Sequence, residues 1–418
     1  MSALLCGAAE ADFTPAPGLQ LLGQMHQRIA KYKRDPLTAN AIAFRQGRET
    51  VVLVSVDICM LNDAFVRRVQ KRFPHRLLLH STHTHVAPTV FDLLTAQADP
   101  HFVRAVEAAI LASAKHAIKN LKPAELFSGT GQMDQMGWNR RAMFRDGTSR
   151  MYSNSTQRGF IGLEGPRDPA LPVLYIPGQA VLVNFATHPN CLEGDSFYSA
   201  DLPGEVRRQL KAALGEKVVV VYLTGAAGNT APSILDPFEP KQPWRGEAGV
   251  RRSGQYLAGE ALTVIASAVQ PMKSPRLRVV QTQLPIPVRP WPKAGSITDP
   301  FPRLAKWKPA RKYYEDSQAN WPPPAAPVML NVIRIGDTVI CTNPAELFVE
   351  FGLEIRRNSP ARVTFISELT DGYCGYVCTK KAYSRGGYET WPAPTSKLAH
   401  SAGPQFVAAT RKLLKRAF

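Results

Sequence analysis

"RLLLHSTHTHVAP", residues 76–88, decides the reading of this chain: an apolar run passes into a polar stretch that holds three of the nine histidines before a proline closes it. Side chains alternate faces along an extended strand, so His83 and His85 are expected on one side and His80 on the other. Two imidazoles at i and i+2 can share a metal, or one can bind while the other meets a substrate. The same residues also fit histidines held structurally by hydrogen bonds near a strand end. "AVLVNFATHP" (180–189) repeats the pattern, with His188 closing an apolar strand and Pro189 turning the chain out of the sheet. Histidines at the mouths of separate strands can converge, and a catalytic zinc site takes three or four N, O or S ligands with one position left for water.

The surrounding sequence fits an α/β protein. "TANAIAFRQG" (38–47) and "ETVVLVSVDICML" (49–61) read as a hairpin that ends near Asp57. "KVVVVYLTGAAGN" (217–229) reads as a strand that opens into a glycine-rich loop. Helical spacing covers 63–73, 100–119 and about 247–269, and a further strand is expected at 276–288. "ADLPGEVRRQLKAAL" (200–214) predicts a helix with Asp201 as N-cap and Pro203 in its first turn. Strands that end in polar loops, interleaved with helices, predict a substantial sheet with a site where strands end.

Residues 285–328 change character. They are dense in proline and carry Trp291, Trp307, Tyr313, Tyr314 and Trp321. A loop with a short helix that covers a site is the expectation, because β-rich sequence resumes at "MLNVIRIGDTVICTNP" (329–344). A linker between two domains is the alternative.

Composition bounds the function classes. With 44% hydrophobic and 20% charged residues the chain is expected to be globular, neither disordered nor membrane-spanning. The opening residues lack a basic segment followed by a long apolar one, so a cytoplasmic protein is expected. Its six cysteines are expected as free thiols, and the lone Cys374/Cys378 pair lacks the second pair of a zinc knuckle. The net charge of +18 raises the question of polyanions. The basic residues are scattered among "RRVQKRFPHR", "NRRAMFR", "VRRQLK" and "RKLLKR", which argues against nucleic acid and leaves an acidic lipid surface as the second expectation.

Five motifs occur in an order that resembles the neutral/alkaline ceramidase family: "STHTHVAP" (81–88), "NFATHPN" (184–190), "TGAAGNTAP" (224–232), "NPAELFVEFGLEIRR" (343–357) and "DGYCGYVCTKKAYSRGGYE" (371–389). The opening "GAAEADFTPAPG" (7–18) is also similar, so the resemblance spans nearly the whole chain. It implies layered mixed β-sheets flanked by helices, with residues 1–418 as a single catalytic domain and no immunoglobulin-like domain after it. Carried over by position, it implies one zinc ion held by His83, His188, Glu346 and Tyr376, with the helix after Glu346 beginning at that residue. His85, Tyr388 and Arg140 would face the substrate. Taken without the others, Glu346 would read as an ordinary helix N-terminal carboxylate, and the two tyrosines as packing residues.

The resemblance implies hydrolysis of a small-molecule or lipid-like amide by metal-activated water. One departure stands out. The family's loop carries an aspartate and, just before its proline, a serine, where this chain has Asn229 and Ala231; Ser233 lies beyond Pro232. Gly228, Asn229 and Ala231 are left as a substrate loop that offers backbone N–H groups. Asp57 and Asp201 are candidates for a second divalent cation, or else structural caps and turns.

Overall fold

The predicted hairpin forms the middle of a five-stranded sheet in this computed structural model, which describes residues 2–153, 155–232, 244–304 and 308–418. Ser233 and Trp307 lie outside the described residues. Across the sheet the order is Arg76–Ser81, Glu49–Val56, Thr38–Gln46, Leu5–Asp12 and Lys122–Pro123. Small residues on one face, Ala41 and Ala43, admit the helix Pro100–Lys119, whose Phe102, Val106 and Ile110 pack against them. That helix starts where Asp99 accepts a hydrogen bond from the Phe102 N–H and Pro100 presets the first turn. The alternate residues Ile42 and Phe44 face the other way.

There they meet two further sheets in one shared core. The second sheet runs Val219–Thr224, Ala180–Phe185, Ala170–Ile176 and Phe127–Gln132, with its first two strands parallel. The helices Asp201–Leu214 and Gly246–Ser267 cover its outer face. The third runs Leu277–Pro287, Ala325–Ile335, Thr338–Thr342 and Val363–Ser367, backed by the helices Val349–Arg357 and Ala402–Ala417. These are layered mixed sheets flanked by helices. Among the described residues no helix is long and apolar enough to cross a membrane.

Several boundaries differ from the sequence reading. The strand Arg76–Ser81 ends before the histidine pair, because the Thr82 and His83 N–H groups leave the ladder to donate to the Val56 and Ile58 carbonyls. His83 then sits at φ 71°, so the strand alternation that was to align it with His85 does not operate. The helix after Asn62 stops at Gln70, not 73. Asp201 is the first helical residue rather than the cap, with its carboxylate accepting from the Cys191, Leu192 and Leu202 N–H groups. Residues 285–328 are no linker: Leu277–Pro287 and Ala325–Ile335 pair along their whole length, and the helices Phe301–Leu304 and Lys308–Ala319 lie in the connection between them.

Candidate metal centre

Two histidines leave two different sheets and meet. His83 follows the end of Arg76–Ser81 and His188 the end of Ala180–Phe185, and their ring centroids are 4.8 Å apart. Each Nδ1 faces a backbone carbonyl, Cys59 O at 2.7 Å for His83 and Ala227 O at 2.6 Å for His188. A carbonyl can only accept, so both Nδ1 atoms carry the hydrogen and both Nε2 atoms present lone pairs in the neutral ring. Those two atoms lie 3.4 and 3.3 Å from one carboxylate oxygen, Glu346 Oε2.

Glu346 does not begin a helix. It sits in the three-residue strand Ala345–Leu347, and the next helix starts at Val349. The strand pairs in parallel with Gly375–Val377, Glu346 opposite Tyr376, so pairing in register brings both side chains to one face. The Tyr373 hydroxyl donates to Glu346 Oε1 at 2.7 Å and fixes the carboxylate. Glu346 Oε2 and His188 Nε2 are buried without a hydrogen-bond partner. Glu346 Oε2 and the Nε2 atoms of His83 and His188 thus converge, a donor set that fits a divalent cation of the zinc kind. Burial, and then the charge of Arg140, press the His188 pKa down to about 3. For His83 burial also opposes the charged form, but the Cys59 and Glu346 charges outweigh it and raise its pKa. The two rings are thus pushed in opposite directions, His83 towards its charged form and His188 towards its neutral one.

The remaining predicted residues stand close by. His85 Nε2 is 3.4 Å from His83 Nε2, and its Nδ1 is 3.3 Å from Glu193 Oε2. The chain crosses over this ring at Gly23, where a Cβ would stand 2.6 Å from His85 Cβ. Arg140 is buried and donates from Nη2 to the Tyr376 hydroxyl and to Gly228 O, each at 3.1 Å, while its Nε donates to Glu389 at 2.9 Å. Tyr388 opens a single helical turn, Tyr388–Thr390, and its ring meets Tyr376 edge-on at 5.8 Å. A cavity of about 760 Å³ is lined by His85, Arg140, Glu193 and Tyr376 together with the apolar Leu94 and Trp391.

The predicted substrate loop is not among the residues lining that cavity. Gly228 donates its N–H to Leu347 O, Asn229 Oδ1 accepts from the Val349 N–H, and Ala231 pairs with Trp138. This loop backs the Glu346 strand. Gly228 must be glycine there, because a Cβ would stand 2.4 Å from Glu346 O. The described residues of 285–328 are not among those lining the cavity either. Leu304, Ala310 and Tyr314 pack behind Tyr388 and Trp391, so the segment supports the wall rather than forming it. Asp201 spends both carboxylate oxygens on backbone N–H groups, whereas Asp57 uses Oδ2 for Thr38 and Arg207 and keeps a buried Oδ1 with no hydrogen-bond partner among the described residues.

Sequence reasoning missed Glu193, Glu368, Tyr373 and Glu389. Tyr373 and Glu389 fall inside a quoted motif, yet nothing local marks them, because their partners are distant in sequence.

No protein-family model matches the sequence. The neutral ceramidase of Pseudomonas aeruginosa is 22% identical over a gapped alignment 469 positions long that covers 92% of this chain and 68% of that protein. Its crystal structure superposes with a TM-score of 0.75 at 19% identity, over 99% of this chain and 74% of the other. The fold is that of neutral ceramidase. A second structure, of a ceramidase complexed with C2, gives the same TM-score of 0.75 at 19% identity, over 99% of this chain and 75% of that one. Sequence and fold together make the chain a divergent, neutral-ceramidase-like protein.

Proposed function

We propose that the chain is a zinc-dependent hydrolase of the neutral-ceramidase kind that cleaves an N-acyl amide or a related carbonyl bond. The observation that carries this reading is the convergence of His83, His188 and Glu346, with Glu346 Oε2 and His188 Nε2 buried and unpartnered among the described residues, beside a cavity with an apolar wall. These three residues hold the ion, and Tyr376 completes the set from the strand paired with Glu346. When bound, a zinc ion supplies a Lewis acid that polarises a carbonyl and makes water nucleophilic near neutral pH.

The chain's own residues do the rest. His85, with Nε2 turned towards the same centre, takes and returns a proton. Arg140 is held from behind by Glu389, which leaves its guanidinium at the cavity to orient the substrate carbonyl. Tyr388, also on the cavity, donates its hydroxyl to the oxygen that gains charge. Ala231 has no hydroxyl, so water is the nucleophile in this reading. Met25, Leu94, Met151 and Trp391 suit an acyl chain, which makes a lipid-like amide the substrate class. The core shared by the three sheets supports residues 1–418 as one catalytic unit.

The test is turnover of a panel of fluorogenic N-acyl amides of rising chain length. Hydrolysis that is abolished by a chelator and restored by zinc is the expected result. Zinc-loaded protein that cleaves none of the panel contradicts the reading.

A second reading, contact with an acidic lipid surface, is favoured by a separate groove. There Lys273, Arg276, Arg334 and Arg362 surround the exposed Val269 and Phe418. Co-sedimentation with phosphatidylserine vesicles at low salt, lost at high salt, is the outcome this reading requires; no binding at either salt removes it.

A further inference from the structure

Glu368 follows the strand Val363–Ser367, is fully buried, and takes no part in the chemistry described above. Its Oε2 accepts two backbone hydrogen bonds, from Ala227 N at 3.1 Å and from Leu347 N at 2.8 Å. Both donors adjoin the metal centre. The carbonyl of Ala227 accepts the Nδ1–H of His188 at 2.6 Å, and Leu347 is the residue after Glu346. Glu368 is itself pinned, because its N–H donates to Thr224 O at 3.1 Å. One carboxyl oxygen therefore ties the loop that orients a histidine to the strand that carries the glutamate.

The tie is reinforced on one side only. Gly228 N donates to Leu347 O at 2.9 Å, and Asn229 bridges Val349 N and Glu350 at 2.8 and 2.9 Å. Those contacts join the loop to the residues after Glu346. None of them reaches the Ala227 N–H, which Glu368 alone engages among the described residues.

We infer that Glu368 is a positioning residue for the metal centre, a buried clamp that sets the separation of His188 and Glu346 by holding the Ala227 and Leu347 amides on one oxygen. The inference rests on the metal-centre reading above. Partners that orient ligands in this way typically carry a 10- to 100-fold share of metal affinity. Hydrogen bonding, not charge, is the means. Glu368 Oε1 has no partner among the described residues, so an amide nitrogen in its place displaces no contact.

Glu368→Ala and Glu368→Gln are compared with the wild-type chain by three readouts. These are zinc affinity by chelator competition, the visible spectrum of the cobalt-substituted protein, and hydrogen exchange of the Ala227 and Leu347 amides in metal-free protein. The expected result is a 10- to 100-fold loss of zinc affinity, a shifted cobalt spectrum and fast-exchanging amides in Glu368→Ala, with all three restored in Glu368→Gln. Wild-type affinity in Glu368→Ala overturns the inference, as does a Glu368→Gln chain that loses as much as the alanine variant. If the alanine variant does not fold, the glutamine variant decides alone, because loss of affinity there has the same meaning. A wild-type chain that takes up no metal defeats the functional reading instead, and the exchange rates still judge the clamp: unprotected amides in wild type sink it.

Discussion

Two clusters of buried charge lie side by side in this molecule, and they are built on opposite rules. In the first, Arg140 and Arg141 face Glu164 and Glu389, all buried. Every carboxylate oxygen has a donor: Arg141 reaches Glu164 at 3.1 and 3.0 Å and Glu389 at 2.7 Å, while Arg140 reaches the other Glu389 oxygen at 2.9 Å. Two positive charges meet two negative ones. In the second cluster Glu346 Oε2 faces the Nε2 atoms of two histidines, and neither it nor His188 Nε2 has a hydrogen-bond partner among the described residues. Burial of unpaired polar atoms costs several kcal/mol, about 1–3 for each neutral group. The first cluster is satisfied from within the protein, whereas the second presents atoms that a divalent cation would satisfy. Arg140 belongs to both, held by Glu389 on one side and bonded to Tyr376 on the other.

The contrast can be broken, and the largest effect is expected in the paired cluster. Glu389→Ala strands the buried Arg140 guanidinium and takes one of two carboxylates from Arg141, and should cost roughly 3–5 kcal/mol of stability in denaturant unfolding. A variant as stable as the wild type would mean that the pairing does not hold this region together. Next comes Tyr373→Phe, which removes the donor to Glu346 Oε1. Zinc affinity should fall by about 10- to 100-fold. Stability of the metal-free protein should change by no more than about 1 kcal/mol. The reverse pattern, lost stability with intact affinity, would make Tyr373 a packing residue. The smallest effect is Asn229→Ala, which removes the acceptor for the Val349 N–H at the start of its helix. About 1 kcal/mol of stability should be lost, with zinc affinity near that of the wild type.

The sequence announced the strands and helices wherever a long run of one period was present, as in 38–56, 100–119 and 217–224. Their faces were legible too, since Ala41 and Ile42 alternate as a sheet between two layers requires. What hid was set by contacts far along the chain. The turn at His83 depends on carbonyls 26 and 25 residues earlier, Val56 and Ile58 taking the Thr82 and His83 N–H groups, and no local pattern encodes it. The family resemblance implied a helix starting at Glu346. Its three-residue strand exists only because Gly375–Val377 lies alongside. Glu389 is 249 residues from Arg140 and 248 from Arg141, so its role was invisible before the fold brought them together. His83 and His188 were legible as histidines at the mouths of two strands, while Glu346 and Tyr376 were reached only through a family resemblance, because spacing within any one segment does not join them.

The central claim is that the unpaired acceptors bind a metal. Metal content by mass spectrometry, on untagged protein purified without added metal, measures this most directly, with the wild type beside His188→Ala. About one zinc per chain in the wild type, lost in the variant, is the predicted result. A wild-type chain that carries no metal and takes up none from a zinc-containing buffer, or a variant that holds as much zinc as the wild type, would contradict it.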